Sequence, residues 1–143
     1  MAAAKKTKYL SKQVAAGRIF DVYAEHIDTP VTDAQMADLT DLTRAQVAYG
    51  KRYLRDVVAA DEHFMYVAGP HGCFLTRRPE DARNYVKERA LTAHVQARRV
   101  LTGTVQTLVE IDPAAKFVLR GYERLLEDLE LLSDLAEAGA VPA

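Results

Sequence analysis

Two neighbouring segments of the sequence, residues 32–35 and 43–46, carry the same helix-start signal eleven positions apart. Each runs from a Thr to a Gln three residues later, the spacing of a capping box, in which the Thr hydroxyl and the Gln side chain each accept a hydrogen bond from the other's backbone N–H. Each box also has an apolar residue just before the cap and another four positions after it, a hydrophobic staple. Such caps contribute about 1 kcal/mol each. The repeat predicts a short helix over about 33–39, a tight turn over 40–42 and a longer helix over about 44–59.

The segments on either side of this pair extend the pattern. Ser11 is a suitable cap for a first helix that runs to about His26, and residues 1–10 are expected to form a flexible basic arm. After the second capped helix, two runs of β-formers within residues 64–76 flank a Gly-Pro-His-Gly turn, which is a hairpin signal. A first helix, two capped helices and a hairpin follow one another in this order in a winged helix-turn-helix. The sequence therefore predicts this module over residues 11–78.

Residues 79–143 are predicted to form a helical dimerisation region. Its first helix opens on Pro-Glu-Asp at residues 79–81, where Pro fits the first position and acidic residues favour the positive helix end. This helix is expected to reach about Ile111, where Asp-Pro at 112–113 stops it, with Gly103 as a weak point. One face carries a stripe of mostly small residues that lets another helix approach closely: Ala82, Val86, Ala90, Ala93, Ala97, Val100, Thr104 and Leu108.

In the last helix, apolar residues follow one another in steps of four and three, the spacing of a coiled-coil seam. The residues of this seam are Val118, Tyr122, Leu125, Leu129, Leu132 and Ala136. Leaving its leucines exposed is unfavourable, because burying one is worth about 1.5–3 kcal/mol. We therefore expect the first five residues of the seam to join two chains in a homodimer. A hairpin that covers the seam within one chain is the alternative.

Charge is unevenly distributed along the chain, although the formal net charge is only −1. Residues 43–99 hold eleven basic and six acidic side chains, net +5, whereas residues 100–143 hold three and eight, net −5. A basic block of this kind suits contact with a polyanion. The longest run without Asp, Glu, Lys or Arg, residues 63–76, has 14 residues and is too short to span a membrane. With one cysteine and no apolar segment behind the basic N-terminus, the chain is expected to be cytoplasmic.

The second capped helix has a core side and an outward side when its residues are placed at intervals of about 100°. The core side carries Val47, Gly50, Leu54, Val57 and Val58, and Gly50 is expected to allow close packing against the short second helix. The outward residues, which we expect to contact DNA, are Arg44, Ala45, Ala48, Tyr49, Arg52 and Arg55. Arg can bind guanine edges or phosphate, Tyr can donate to phosphate, and Ala can touch a thymine methyl. The expected contacts from the hairpin are His71 at its tip and Arg77 and Arg78 at its base.

Residues 11–80 resemble the winged helix-turn-helix superfamily of transcription regulators, in particular the small winged-helix proteins of actinobacteria and their phages. Residues 43–54 are similar to the segment that precedes a Gly-rich hairpin in those proteins, and residues 68–76 are similar to that hairpin. Pro-Glu-Asp-Ala at 79–82 is similar to the opening of their long helix. The resemblance covers about half of the chain. It implies DNA binding and often repression, and the long C-terminal helices resemble those through which such regulators dimerise.

Residue patterns for catalysis and metal binding are lacking in the sequence. The only cluster of metal-binding residue types is His63, His71 and Cys73, and no fourth ligand stands at a finger-like spacing. The sequence has no Ser-His-acid pattern, phosphate loop or dinucleotide fingerprint. Neither an enzyme nor a cofactor is therefore expected.

The leading hypothesis is a mainly α-helical protein with a small β-hairpin that binds double-stranded DNA as a homodimeric transcription regulator, expected to be a repressor. Two alternatives stay open. A protein-interaction adaptor could use the winged helix and the acidic coiled coil to bind a host protein. An architectural or recombination-accessory protein could bind DNA without regulating transcription. The adaptor predicts no salt-dependent affinity for DNA, whereas both DNA-binding hypotheses predict a steep dependence.

Overall fold

The computed structural model describes residues 9–138, and the chain divides into two compact units, Met1–Ala82 and Arg83–Ala143. The predicted basic arm lies outside the described residues, except for Tyr9 and Leu10. The described part is mainly helical with one two-stranded antiparallel hairpin, which confirms the predicted fold class at that level. Among the helices of the described residues, none is both long enough and apolar enough to cross a membrane.

The first two helices begin at the caps that the sequence predicts. Helix α1 spans Lys12–Glu25, and the Ser11 side chain accepts a hydrogen bond from the backbone N–H of Val14 at 3.2 Å. Helix α2 spans Asp33–Thr40 and starts with a complete capping box, whose two hydrogen bonds measure 2.9 and 3.1 Å. It ends at Asp41, whose φ of 57° reverses the chain into the tight turn. Local hydrogen bonding thus sets the starts of both helices.

The predicted longer helix is continuous, but its winding changes in the middle. Helix α3 spans Arg44–Tyr53 and starts with the second capping box, with hydrogen bonds of 2.9 and 3.1 Å. A π-helical turn, Leu54–Val58, follows and leads into the short helix α4, Ala59–Asp61. The wider turn places Leu54 and Ala59 on the same side of the helix, and both are buried.

The core face of this helix ends differently from the prediction because of the π turn. Val47 and Leu54 are buried as predicted, but Val57 is 36% exposed and Val58 is only half-buried. The prediction assumed a regular α-helical rotation, in which Val58 follows Leu54 on the same face. Because the π turn contains an extra residue, Ala59 takes that place instead.

The predicted hairpin consists of β1, Met65–Gly69, and β2, Gly72–Thr76. The strands are antiparallel with Gly69 opposite Gly72, so that Pro70 and His71 form the turn between them. This arrangement leaves His71 exposed at the tip, as predicted.

A third extended segment joins the hairpin at Val31, which the sequence did not predict. The Val31 N–H donates to the carbonyl oxygen of Cys73 at 2.9 Å, and the Cys73 N–H donates back at 3.1 Å. Gly72 has a φ of 126°, and a Cβ there would lie 2.6 Å from the carbonyl carbon and oxygen of Val31. Only glycine fits this conformation and this approach, so Gly72 is required for the third segment to pair.

The core of the N-terminal unit lies between α1, α2, α3 and the hairpin. Its largest fully buried apolar and aromatic side chains are Tyr23, Ile19, Met36, Leu42, Leu54, Leu75 and Val47. At Gly50, a Cβ would lie 2.7 Å from Ile19 Cδ1 and 3.0 Å from Ala15 Cβ, both on α1. The expectation that Gly50 packs against the second helix is therefore wrong, because α3 makes its close approach to the first helix.

The C-terminal unit consists of helices with one sharp reversal. Helix α5, Pro79–Val100, crosses the division between the units and continues through a π turn, Leu101–Val105, into α6, Gln106–Ile111. The predicted weak point, Gly103, lies inside this π turn, so the helix rewinds there without breaking. The end at Ile111 agrees with the prediction.

The reversal after α6 starts at Asp112. Its side chain accepts a backbone N–H from the following 3-10 turn, Pro113–Ala115, at 3.2 Å. Helix α7, Lys116–Ala138, then runs back along α5. The evidence is that Lys87 Nζ, in the first half of α5, lies 3.0 Å from Glu137 Oε1, near the end of α7. The unit is therefore an antiparallel helical hairpin.

Candidate nucleic-acid interface

One side of α3 carries four of the residues predicted to contact DNA. Arg44, Ala45, Ala48 and Arg52 are exposed, and this set is called the outward face below. The sequence of α3 contains no acidic residue. The capping box fixes the first turn, where free backbone N–H groups and the helix dipole favour an anion such as phosphate. The outward face thus combines positive charge with small side chains on an ordered backbone.

Tyr49 does not belong to the outward face, which corrects the sequence-based expectation. Its ring is half-buried against the core, and its hydroxyl donates to the backbone carbonyl of Leu10 at 2.7 Å. Close by, Lys12 Nζ lies 5.4 Å from the ring centroid of Tyr53. The two tyrosines hold the segment that enters α1 against α3. Because its hydroxyl is already bonded to protein, Tyr49 acts here as a packing residue.

A cleft of about 250 Å³ adjoins the outward face, between α3 and β1. The residues that line it are Asp33, Ala48, Lys51, Arg52, Arg55 and Tyr66. Arg55 is exposed in the π turn, and its Nε donates to the Asp56 carboxylate at 3.0 Å. The lining contains three cationic side chains and one carboxylate, so an anionic group is the ligand class that suits it.

Lys51 connects α3 to two other elements, a role that the sequence analysis missed. Its Nζ donates to Asp33 Oδ1 at 2.6 Å and lies 3.4 Å from Cys73 Sγ. The Tyr66 hydroxyl donates to the same sulfur at 3.0 Å. These partners are 18 and 22 residues from Lys51 in the chain, so no local pattern could have revealed them.

The charge of Lys51 is maintained despite its burial. The side chain is 16% exposed, and this burial alone lowers its pKa. The hydrogen bond to Asp33 and the neighbouring Cys73 outweigh the burial, so the pKa of Lys51 lies above its usual value. At neutral pH the ammonium is therefore charged and contributes positive potential beside the cleft.

The two arginines at the base of the hairpin have partners within the N-terminal unit. Arg77 donates from Nε to the carbonyl of His63 and from Nη2 to that of Glu62, both at 3.2 Å. Its guanidinium also lies 4.0 Å from the ring centroid of Phe64. Carbonyl groups at a helix C-terminus lack hydrogen-bond donors within the helix, and the Arg77 guanidinium donates to two such carbonyls just beyond α4.

Arg78 is held in a similar way by two carboxylates. It pairs with Asp81 at 2.6 Å and lies 3.6 Å from Asp28, while half of its side chain stays exposed. The structure thus gives both predicted phosphate contacts protein partners. The third predicted hairpin contact, His71, is exposed at the tip, at the opposite end of the hairpin from these pairs.

The predicted dimerisation residues are divided in the C-terminal hairpin. Tyr122 and Leu129 are half-buried, whereas Val118, Leu125 and Leu132 are exposed. The hairpin therefore covers only part of the seam within one chain.

Among residues 9–138, no group of three or more His, Cys, Asp or Glu side chains is arranged to hold a metal ion. No family model, curated protein or solved structure matches the chain. The outward face of α3 and the adjoining cleft carry four cationic side chains, which suit a polyanion: Arg44, Lys51, Arg52 and Arg55.

Proposed function

We propose that the chain binds double-stranded DNA as a homodimeric transcription regulator, with α3 in the major groove. The observation that carries the proposal is the outward face of α3, on a helix whose sequence has no acidic residue. The major groove of B-DNA is about 12 Å wide and admits an α-helix. Repression by occupying an operator is the simplest form of regulation for such a protein.

The connectivity of the N-terminal unit supports a winged helix-turn-helix. Helices α2 and α3 are joined by three residues, 41–43, within the usual length of the turn in this motif. The hairpin follows the helical segment that α3 begins, and Val31 pairs with β2 as a third extended segment. In this arrangement the hairpin is the wing, with Pro70 and His71 at its tip.

The side chains of the outward face match the groups presented by DNA. Arg52 lies far along the exposed side of α3 and is assigned to a base edge, since an arginine can bond guanine O6 and N7 together. Arg44 stands at the first helical position and is assigned to a phosphate. Ala45 and Ala48 let the helix approach the bases closely and can touch a thymine methyl.

The cleft beside the outward face provides a place for the DNA backbone. Besides Arg52, which is assigned to a base edge, Arg55 lines the cleft, and the charged Lys51 lies within it, bonded to Asp33. Neutralising phosphates with such side chains releases bound counterions and makes the affinity fall with salt. The cleft therefore supports sequence-independent affinity, and the outward face supports sequence preference.

Selection of bound sequences from random duplex DNA tests this proposal. We expect the wild-type chain to enrich a palindrome whose half-sites are about one helical turn apart. Arg52→Ala should lose the preference at defined positions in each half-site. The matched control is Arg18→Ala, which removes an exposed arginine from α1 and should leave the preference intact.

The other outcomes distinguish the remaining functions. Binding with a steep salt dependence but without enrichment contradicts operator recognition and favours an architectural role. The absence of any salt-dependent binding contradicts a DNA-binding function altogether and favours a protein-interaction adaptor.

A further inference from the structure

The apolar seam of α7 consists of two rows, and only one of them packs within the chain. The half-buried row is Tyr122, Leu129 and Ala136, spaced seven residues apart. The other row has the same spacing and consists of Val118, Leu125 and Leu132, which are 44%, 43% and 44% exposed. The nearly equal exposure along three helical repeats indicates one continuous uncovered edge, because a frayed end would show a gradient.

Helix α5 is divided in the same way. Ala90 and Ala97 are 3% and 8% exposed, and Leu101 in the following turn is 8% exposed. The second row is Val86, Ala93 and Val100, again seven residues apart. The two valines are each 41% exposed, and Ala93 between them is half-buried. One row of the predicted stripe of small residues therefore packs within the hairpin, and the other row is left largely exposed.

Helix geometry places the two uncovered rows on the same side of the hairpin. In α5, Ala93 comes three residues after Ala90, and in α7, Leu125 comes three residues after Tyr122. Three residues turn an α-helix by about 300°, so the later residue lies about 60° short of a full turn from the earlier one. Because α5 and α7 are antiparallel, as the Lys87 contact with Glu137 shows, the same rotation turns both rows to one side. The hairpin thus presents a two-helix apolar face, defined by these two rows.

The helices on either side of this face carry opposite charge. Residues 83–100 of α5 have five basic side chains and one acidic, net +4. Residues 116–138, which form α7, have three basic and six acidic, net −3. A two-helix partner that covers the face lays one helix next to each of them. A partner with one basic and one acidic helix is complementary only if it is turned so that opposite charges meet.

We propose that a second copy of this chain covers the two-helix apolar face, about a two-fold axis parallel to the helices. This axis places α5 of each copy against α7 of the other, so all neighbouring helices are antiparallel and oppositely charged. A two-fold axis perpendicular to the helices would instead pack the basic α5 of one chain against the basic α5 of the other. The result is a four-helix bundle whose two α5 helices begin at the same end. The inference gives a geometry to the homodimer of the proposed function, on which it rests.

Disulfide cross-linking in a Cys73→Ser background tests this arrangement, since Cys73 is the only cysteine of the chain. The Lys87 contact with Glu137 shows that these two residues lie at the same height along the hairpin. Because the helices are antiparallel, Ala93, six residues after Lys87, lies at about the same height as Leu132, five residues before Glu137. We expect a co-refolded mixture of Ala93→Cys and Leu132→Cys chains to form a covalent dimer of twice the chain mass on oxidation. Neither variant alone should do so, because identical positions lie diagonally across the bundle, beyond the disulfide limit of about 7 Å between Cα atoms.

The control mixture replaces Ala93→Cys by Val95→Cys, which is exposed on another side of α5. If the first mixture cross-links no more than this control, the apolar face is not the dimer interface. If Ala93→Cys alone cross-links as well as the mixture, the axis lies across the helices and the arrangement is wrong. Circular dichroism checks that the background is folded, with Cys73→Ala as the second background. The assay contains no DNA, so its outcome is separate from that of the binding tests.

Discussion

The Lys51 ammonium donates to the Asp33 carboxylate at 2.6 Å and thereby ties the last turn of α3 to the first turn of α2. The two side chains differ in exposure, since Lys51 is 16% exposed and Asp33 is 49% exposed. Together with the capped turn between the helices, this contact holds α3 in its orientation. The outward face depends on that orientation for its position.

Replacing Asp33 by Asn should therefore weaken the N-terminal unit. Asp33→Asn leaves the poorly hydrated Lys51 ammonium with a weaker acceptor, and we expect the free energy of unfolding to fall by about 1 kcal/mol. Asp38→Asn is the matched control, because Asp38 is exposed on the same helix, and its effect should stay within about 0.5 kcal/mol. Urea unfolding measures both. Equal values for the two variants would show that the Lys51 contact contributes nothing to stability.

Tyr23 provides a second test, because its buried hydroxyl has no hydrogen-bond partner among the described residues. Tyr23→Phe removes a polar group that has lost its water, so the free energy of unfolding at pH 7 should stay equal or rise by up to about 1 kcal/mol. Burial, and then the nearby Cys73 and Asp33, raises the pKa of Tyr23 far above its ordinary value of 10.0. Above pH 10 the unfolded chain loses the Tyr23 proton, whereas the folded chain keeps it, so the free energy of unfolding falls as the pH rises. The wild type should therefore lose more stability than Tyr23→Phe above pH 10. Parallel pH profiles from urea unfolding at pH 9 to about 11.5 would contradict this.

The helix starts of the N-terminal unit could be predicted because their signals are local. Each capping box joins residues three positions apart, and the same spacing recurs in both segments. The turn at Asp41 and the hairpin turn at Pro70 and His71 also follow from short sequence patterns. Distant parts of the chain do not need to meet for these elements to be specified.

The features that the sequence did not reveal depend on contacts between distant residues. Tyr49 looked like an outward residue by rotation alone, but its partner Leu10 is 39 positions away. The pairing of Val31 with Cys73 and the internal partners of Arg77 are likewise set by the tertiary fold. The π turn adds one residue to the helix without any Pro or Gly to mark it, which is why the end of the core face was displaced.

Arg77 is expected to stabilise the fold. Arg77→Ala removes hydrogen bonds to the carbonyls of Glu62 and His63 and the contact with the Phe64 ring. We expect the free energy of unfolding to fall by about 1–2 kcal/mol. The salt dependence of DNA binding should change little, and this is measured on the same protein. Unchanged stability, with the slope of log affinity against log salt reduced by about 1, would instead assign Arg77 to a phosphate.

The exposed seam row of α7 should control the oligomeric state. Leu125→Asp with Leu132→Asp places two charges on the uncovered edge, and we expect a monomer by light scattering, with the N-terminal unit still folded by circular dichroism. Leu131→Asp is the matched control, since Leu131 is 56% exposed on another side of α7, and it should remain dimeric. A wild-type chain that is monomeric at micromolar concentration would refute the dimer.

The central claim, that α3 reads double-stranded DNA, is tested most directly by titrating a labelled duplex carrying the selected site with wild-type protein and Arg52→Ala at several salt concentrations. We expect the log of the wild-type association constant to fall linearly with log salt, with a slope of about −0.9 for each phosphate neutralised. Arg52→Ala should weaken specific binding by about 1–3 kcal/mol at every salt concentration while its unfolding midpoint stays unchanged. An Arg52→Ala protein that is folded and binds the selected site as tightly as the wild type would contradict the claim.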